Sequence, residues 1–390
     1  MGQAYIVAAA RTAGGRRGGR LAGWHPVDLA ARVLDALVER SGVDPAAVDD
    51  VIMGCVSQVG EQSTNVARNA VLASCLPESV PGTSIDRQCG SSQQALHFAA
   101  QAVMSGMQDV VIAAGVESMT RVPMFTPSAL PKKNGLGEYA SPAIRARYPD
   151  EFSQFTGAEM MARKYDLPRE RLDAYALQSH HRAAEATRAG RFEAQIVPLQ
   201  ARAADGSAGE PHRIDEGIRF DATLESIGSV RLLAEGGRIS AANASQICDG
   251  ASGVMVASEA GLKALGAEPL ARIHHLSVMG HDPVIMLEAP LPATQRALAR
   301  AGLKVGDIDL FEVNEAFAPV PLAWLQATGA DPERLNVNGG AIALGHPLGA
   351  SGTKLMVTLV HELRRRGARF GLQTMCEGGG MANVTIVERL

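Results

Sequence analysis

Two distant stretches of this chain follow one plan. SGVDPAAVDDVIMG at 41–54 and AGLKVGDIDLFEV at 301–313 each run from a helix end through a glycine and an aspartate into an apolar strand. Each leads to a glycine-rich turn that feeds a helix, QCGSSQQALHFAA at 88–100 and LGHPLGASGTKLM at 344–356. Each helix is followed by another strand, VVIAAG at 110–115 and GLQTMC at 371–376. A repeated plan of this size restricts the chain to a duplicated architecture. The two glycine-rich turns then become pseudo-symmetric partners facing each other across one cleft.

The elements between these landmarks alternate. A strand is expected at Ala4–Ala10, and a helix at Pro26–Glu39, where Leu29, Val33, Leu34 and Leu37 recur at helical spacing. Buried strands follow at Asp50–Cys55 and Asp109–Gly115, with an alanine-rich helix at Gln93–Met104 between them. Such alternation implies α/β layers around a largely buried sheet. Near residue 120 the texture changes. Pro123, Pro127, Pro131, Lys132, Lys133 and Asn134 come in quick succession. A charged helical stretch, Met160–Arg191, and a loose segment, Ala201–Gly217, follow. Alternation resumes after Ala241. The expected organisation is an N-terminal half at 1–120 completed by about 241–268, an insertion at 121–240, and a C-terminal half at 269–390.

Composition narrows the class of molecule. The 390 residues are 46% hydrophobic and 20% charged, which excludes a disordered chain and supplies core for two or three domains. A net charge of −4 gives nucleic-acid binding no bulk electrostatic support. No apolar run approaches the ~18 residues of a membrane span. The apolar stretch near the start is short and lacks a preceding charged region, so it reads as a strand rather than a signal peptide. Five cysteines, an odd number in a long chain, point to a reducing, cytoplasmic setting without a disulfide framework.

Four segments carry candidate chemistry. In IDRQCGSSQQALHFAAQAV, Cys89 stands where a strand ends and a helix starts. Unpaired N–H groups and the helix dipole there favour a thiolate. The bland alternative is a small buried residue at a strand end. In NVNGGAIALGHPLGASG, His346 lies in a rigid Gly-Pro turn suited to a general base, against the alternative of an imidazole satisfied by a loop carbonyl. In MCEGGGMANV, Cys376 precedes three glycines whose N–H groups could line an oxyanion pocket. In EVNEAFAPV, Asn314 and Glu315 end a strand and start a helix, where Asn314 would serve as an ordinary N-cap. No Cys or His falls at metal-ligand spacing near these residues. Cys55, Cys75 (on a helix among apolar residues) and Cys248 read as structural. His180 and His181 fall on an outer helix without a visible partner.

Taken together and in order, these segments resemble the thiolase family. The resemblance runs from YIVAAARTAGG at 5–15 to the last strand, and rests on QCGSS, ANASQICDGASG, NEAFAP, NGGAIALGHPLGASG and a late CxGGG. It implies a five-layer αβαβα thiolase fold with an inserted loop domain over the site. It implies coenzyme A as co-substrate, no permanently bound cofactor, and a homodimer or homotetramer. It also implies roles. Cys89 is the acylated nucleophile, His346 activates it, and Cys376 moves a proton at C2 of acetyl-CoA. Asn314 holds a water that forms one oxyanion hole with His346, while the N–H groups of Cys89 and Gly378 form the other. Ser245 falls where the family contacts the pantetheine arm of CoA, and Arg219 near the adenine.

The chain departs from the family at two places. Ser153, Gln154 and Phe155 occupy the region where acetoacetyl-CoA thiolases carry a His-Met-Gly stretch. Glu377 replaces the small or apolar residue common after the second cysteine. Together with Gln88, Gln93 and Gln94, the CEGGG motif resembles thiolases of steroid and bulky side-chain breakdown. A degradative enzyme for a bulky 3-ketoacyl-CoA is therefore expected. The rivals are a biosynthetic acetoacetyl-CoA thiolase, a decarboxylating ketoacyl synthase, and a catalytically silent thiolase-like partner protein.

Overall fold

A computed structural model describes residues 2–390. Its strands fall into two sets. In the first, Tyr5–Thr12, Cys248–Ala257, Val110–Ser118, Asp50–Gly54 and Gly82–Ile85 lie side by side. In the second, Ala271–Gly280, Met381–Glu388, Phe370–Glu377 and Leu310–Val313 follow the same plan, and a parallel bridge from Phe311 to Leu335 stands in the last place. By chain order within each set, both read first, fifth, fourth, second, third. The duplication visible in the sequence is thus real. The sets meet through Tyr5 opposite Arg272 and Ile6 opposite Ala271, which joins them into one mixed sheet of 11 strands.

Helices divide into three layers around these strands. Pro26–Ser41 and Val66–Leu72 cover the outer face of the first set through Leu29, Val33, Leu34, Leu37 and Val71. Pro290–Ala301 and Pro319–Thr328 cover the second through Leu291, Ala297, Leu322 and Trp324. Between the sets lie Ser91–Met104 and Ser351–Arg366. Their Ala95, Leu96, Ala99, Met356 and Val360 share one core with Ile52, Val111 and Val254 of one set and Leu310 and Val387 of the other. This is the αβαβα sandwich that the resemblance implies.

Two glycines let the central layer close. A Cβ on Gly352 would stand 2.1 Å from the backbone nitrogen of Gln93, and one on Gly115 would stand 2.2 Å from the carbonyl oxygen of Gly349. The Thr353 N–H donates to Ser92 Oγ at 2.9 Å across the same contact. The glycine-rich turns therefore face each other, as the repeat predicts.

The middle of the chain differs from expectation in detail. The charged stretch is two helices, Gln154–Lys164 and Arg169–Arg188, because Asp166 takes a left-handed φ of 49° and Pro168 cannot continue the first. The segment read as loose holds a hairpin, Leu199–Arg202 with Ala208–His212. Its turn is set by Gly206 at φ 85° and by Asp205, which accepts from the Ser207 N–H at 2.9 Å. His180 and His181 both have partners: His180 Nδ1 accepts from the Arg219 N–H at 3.1 Å, and His181 Nε2 donates to the Ala222 carbonyl at 3.3 Å. Cys75 lies exposed in a bend beyond Val66–Leu72 rather than on a helix. The segment is anchored to the core by a buried ion cluster. Arg11 donates twice to Asp215, at 2.8 and 3.0 Å, and Lys354 Nζ lies 3.8 Å from the same carboxylate. Such pairing is what makes a buried charge tolerable.

Replacing Gly352 by Ala forces a methyl into backbone and should cost about 1–3 kcal/mol of stability. Gly306→Ala, where an added Cβ meets no atom within 4 Å, should stay within about 0.5 kcal/mol. Chemical denaturation midpoints of the two variants check this.

Candidate active site

The Cys89 turn is held in an unusual backbone state. Between the strand Gly82–Ile85 and the helix Ser91–Met104, Gln88 adopts a left-handed φ of 49°. A non-glycine residue there costs on the order of 1 kcal/mol or more and persists only when its surroundings hold it. They do so here. Asp86 accepts from the Gln88 N–H at 2.7 Å, and Ser91 Oγ donates to the Gln88 carbonyl at 2.6 Å while accepting from the Arg87 N–H at 2.9 Å. Cys89 is thereby presented half-buried at the helix start. The expectation of a favoured thiolate fails: burial pushes the thiol up to about 12, and the Glu377 carboxyl adds to the effect.

His346 is oriented from both sides. Ser351 Oγ donates to the Pro347 carbonyl at 2.9 Å, so toward the imidazole it is an acceptor. It meets His346 Nδ1, which assigns the ring proton to Nδ1 and leaves Nε2 as an acceptor facing the Asn314 amide. Asn314 Nδ2 lies 3.4 Å from that Nε2. The loop itself is clamped. Lys354 Nζ donates to the carbonyls of Leu344 at 2.5 Å and Gly345 at 3.2 Å, and the His346 N–H donates to Gln246 O at 3.0 Å. Burial, then the Lys354 charge, pull the imidazole down to about 3. Cys89 and His346 therefore rest as neutral thiol and neutral imidazole.

Asn314 is not a helix cap. It follows the strand Leu310–Val313, its N–H donates to the Thr374 carbonyl at 3.1 Å, and the next helix begins only at Pro319. This placement keeps its side chain free to face His346, and its Oδ1 is buried without a partner. Glu315 beside it is a structural hub. It accepts from Tyr175 Oη at 2.9 Å, Ser179 Oγ at 2.7 Å, Asn336 Nδ2 at 3.0 Å and the Ile342 N–H at 3.1 Å.

The third turn closes the site. Phe370–Glu377 and Met381–Glu388 pair antiparallel, joined through Gly378–Gly380, where Gly379 and Gly380 take φ of 81° and 73°. This turn lies against the Cys89 turn. A Cβ on Gly90 would meet Glu377 Oε1 at 2.0 Å, and one on Gly378 would meet Gln88 Oε1 at 2.9 Å. Burial, and then Cys89, raise the Cys376 thiol well above the ordinary range, so the two sulfurs share one environment. Among the described residues, neither the Cys89 nor the Gly378 N–H finds a carbonyl acceptor in its turn.

Of the other expected positions, Ser245 is half-buried next to the Asn314 segment, its N–H donating to Ala316 O at 2.9 Å. Arg219 is exposed. Its N–H is held by His180, and two residues earlier the chain is held by Gln246 Nε2, which donates to the carbonyls of Gly217 at 2.8 Å and Ile342 at 2.7 Å. Sequence reasoning missed Ser351, Lys354 and Glu117. Glu117 accepts from the N–H groups of Val56 at 2.9 Å, Ser57 at 3.0 Å and Gly349 at 2.9 Å, and so fixes the His346 loop to the first set of strands. Ser351 could have been found: it is the hydroxyl nearest after His346, at the start of the helix that the loop feeds.

The glycine-rich turns that carry a half-buried thiol, a buried thiol and a neutral imidazole thus approach one another. Residues 4–260 match the thiolase N-terminal domain and residues 267–389 the thiolase C-terminal domain. The chain is 52% identical to a steroid 3-ketoacyl-CoA thiolase, FadA6, of Mycobacterium tuberculosis over all of this chain and 95% of that protein. It is 41% identical to a 3-ketoacyl-CoA thiolase of Erwinia tasmaniensis and 41% identical to an acetyl-CoA acetyltransferase of Cupriavidus necator, each over the full length of both chains. The chain belongs to the thiolase family of acyltransferases.

Proposed function

We propose that this thiolase is degradative and cleaves a bulky 3-ketoacyl-CoA, with CoA as the acyl acceptor. The convergence of Cys89, His346 and Cys376 at the glycine-rich turns supports the chemistry. His346 Nε2 takes the Cys89 proton as the sulfur attacks the C3 ketone, so no free thiolate has to form in the resting site. The N–H groups of Cys89 and Gly378 receive the oxyanion. The C2–C3 bond then breaks, and its electron pair leaves as the enolate of acetyl-CoA (or propionyl-CoA). Protonated His346 and a water held by Asn314 stabilise the enolate oxygen, and Cys376 gives its proton to C2. In the second half-reaction the CoA thiol passes its proton to Cys376 and attacks the acyl-Cys89 thioester. Cys89 leaves and recovers its proton from His346. The cycle is ping-pong covalent catalysis and runs in both directions.

The bulky-substrate reading rests on the steroid thiolase relative and on the insertion. Phe155 is 41% exposed and packs edge-on against Phe317 at 5.7 Å, three residues from Asn314. Gln154 Nε2 meets Met124 Sδ at 3.6 Å beside it. The Phe155–Phe317 pair stands in the region where short-chain enzymes carry a His-Met-Gly stretch, which supports the bulky-substrate reading over the biosynthetic one. Ser245 and Arg219 are assigned to the pantetheine arm and the adenine of CoA. We assign 1–120 with 241–268 and 269–390 to the two halves, and 121–240 to the cover over the site. The chain works as a homodimer or homotetramer in the cytoplasm. The edge strand Gly82–Ile85, which runs directly into the Cys89 turn, is the pairing element. Among the described residues, no helix is long and apolar enough to cross a membrane.

Intact-protein mass spectrometry after mixing with acetoacetyl-CoA or a bulky 3-ketoacyl-CoA tests the reading. A mass gain equal to the acyl remnant is expected, absent in Cys89→Ala, discharged by free CoA, and faster with the bulky substrate. Lack of any adduct would overturn the assignment, and faster labelling by acetoacetyl-CoA would overturn the degradative role. Ser351→Ala should lower kcat about tenfold or more, through loss of the imidazole orientation a general base needs, and leave KM for CoA within about twofold. Steady-state kinetics of the thiolytic direction would show it.

A further inference from the structure

Two carboxylates buried in this core are well supplied with donors. Glu117 accepts from three backbone N–H groups and from Gln62 Nε2, and Glu315 from four donors. Glu377 is not. It is 0% exposed, and among the described residues it alone has both carboxylate oxygens buried without a hydrogen-bond partner. Its seat exists only because residue 90 is glycine: a Cβ there would overlap Glu377 Oε1 at 2.0 Å. The carboxyl thus rests against the peptide that follows the nucleophile.

Neither oxygen makes a well-formed hydrogen bond, and besides Arg87 only the Asn383 backbone N–H lies near enough to favour an ionised carboxylate in that seat. The charged and titratable groups that act on it and on its neighbours are few. Arg87, on the turn before Cys89, is the cation that favours the ionised form; Cys89 faces it from the same turn, and Cys376 adjoins it on its own strand. Asp86 and Glu117 act on Cys89 more weakly than Glu377 does. Burial outweighs Arg87 and pushes the Glu377 carboxyl up to about 8.

We propose that Glu377 is a positioning residue for the nucleophile: as a neutral acid it fills the space behind the Cys89–Gly90 peptide, and its ionisation closes Cys89 to activation by placing a like charge beside the sulfur. The inference rests on Cys89 as the nucleophile and adds an alkaline limit set by a residue that touches no substrate. The sign follows from Coulomb's law. Below the carboxyl's titration Cys89 meets no negative charge at that position; above it, the thiolate must form beside one.

Alkylation of Cys89 by iodoacetamide, read by peptide mass mapping without substrate from about pH 6 to about pH 10, tests the proposal. Wild type and Glu377→Gln should label at equal rates near pH 6. By about pH 9 the variant should label about tenfold faster, since one unit of thiol pKa is tenfold in thiolate. Arg87→Met removes the cation that favours the ionised carboxylate, so the break in the profile should move to higher pH. It also serves if Glu377→Gln fails to fold. A rate ratio between wild type and Glu377→Gln that does not change with pH, or a break that Arg87→Met leaves in place, would overturn the proposal. Failure of the thiolase reading would show separately, as absence of the acyl adduct with an alkylation profile unaffected.

Discussion

The approach of the two central helices at their N-termini governs the rest of this molecule. Gly352 lies so close to the Gln93 backbone that no side chain fits between them, and Thr353 donates to Ser92 across the gap. Both helices begin directly after a reactive turn. Closing them on one another therefore brings the Cys89 turn and the His346 loop into one place. The outer helices, the paired strands and the buried Arg11–Asp215–Lys354 cluster surround that contact.

The same closure sets the electrostatics. Two helix N-termini contribute partial positive charge to the cleft, which by itself favours thiolates and oxyanions. Desolvation outweighs it. Both thiols are raised and the imidazole is lowered, so the site rests uncharged. An uncharged resting site fits a reaction whose charges develop only in the transition states. In the proposed cycle, proton movement from Cys89 to His346 is coupled to attack, and donors such as the Cys89 and Gly378 N–H groups meet charge only as it forms.

Much of this was legible in the residues. The repeat at 41–54 and 301–313 marked the duplication, and glycine spacing marked the turns that meet. Where local reading erred, tertiary context is the reason. Asn314 has an ordinary cap composition, but its N–H is taken by Thr374 of a neighbouring strand, so no helix starts there. The Met160–Arg191 stretch looked continuous because its charges are helix-compatible, while Asp166 and Pro168 break it. The helix-dipole argument for a Cys89 thiolate was sound in sign and lost to burial, which no local window reports.

The sequence by itself determined the repeat, the order of the turns, and the residue types available to each: sulfur, imidazole, amide and closely spaced glycine. These are local properties, written in periodicity and spacing. Only the tertiary structure decided which atoms face which. It directs Ser351 onto His346 Nδ1 and leaves Nε2 as an acceptor, and it brings Lys354 and Glu117 from distant segments to fix the His346 loop. It also leaves Glu377 against Gly90 without a well-formed hydrogen bond. The physical reason is that hydrogen-bond direction and desolvation depend on what packs around a group, and here those neighbours come from segments far apart in the chain.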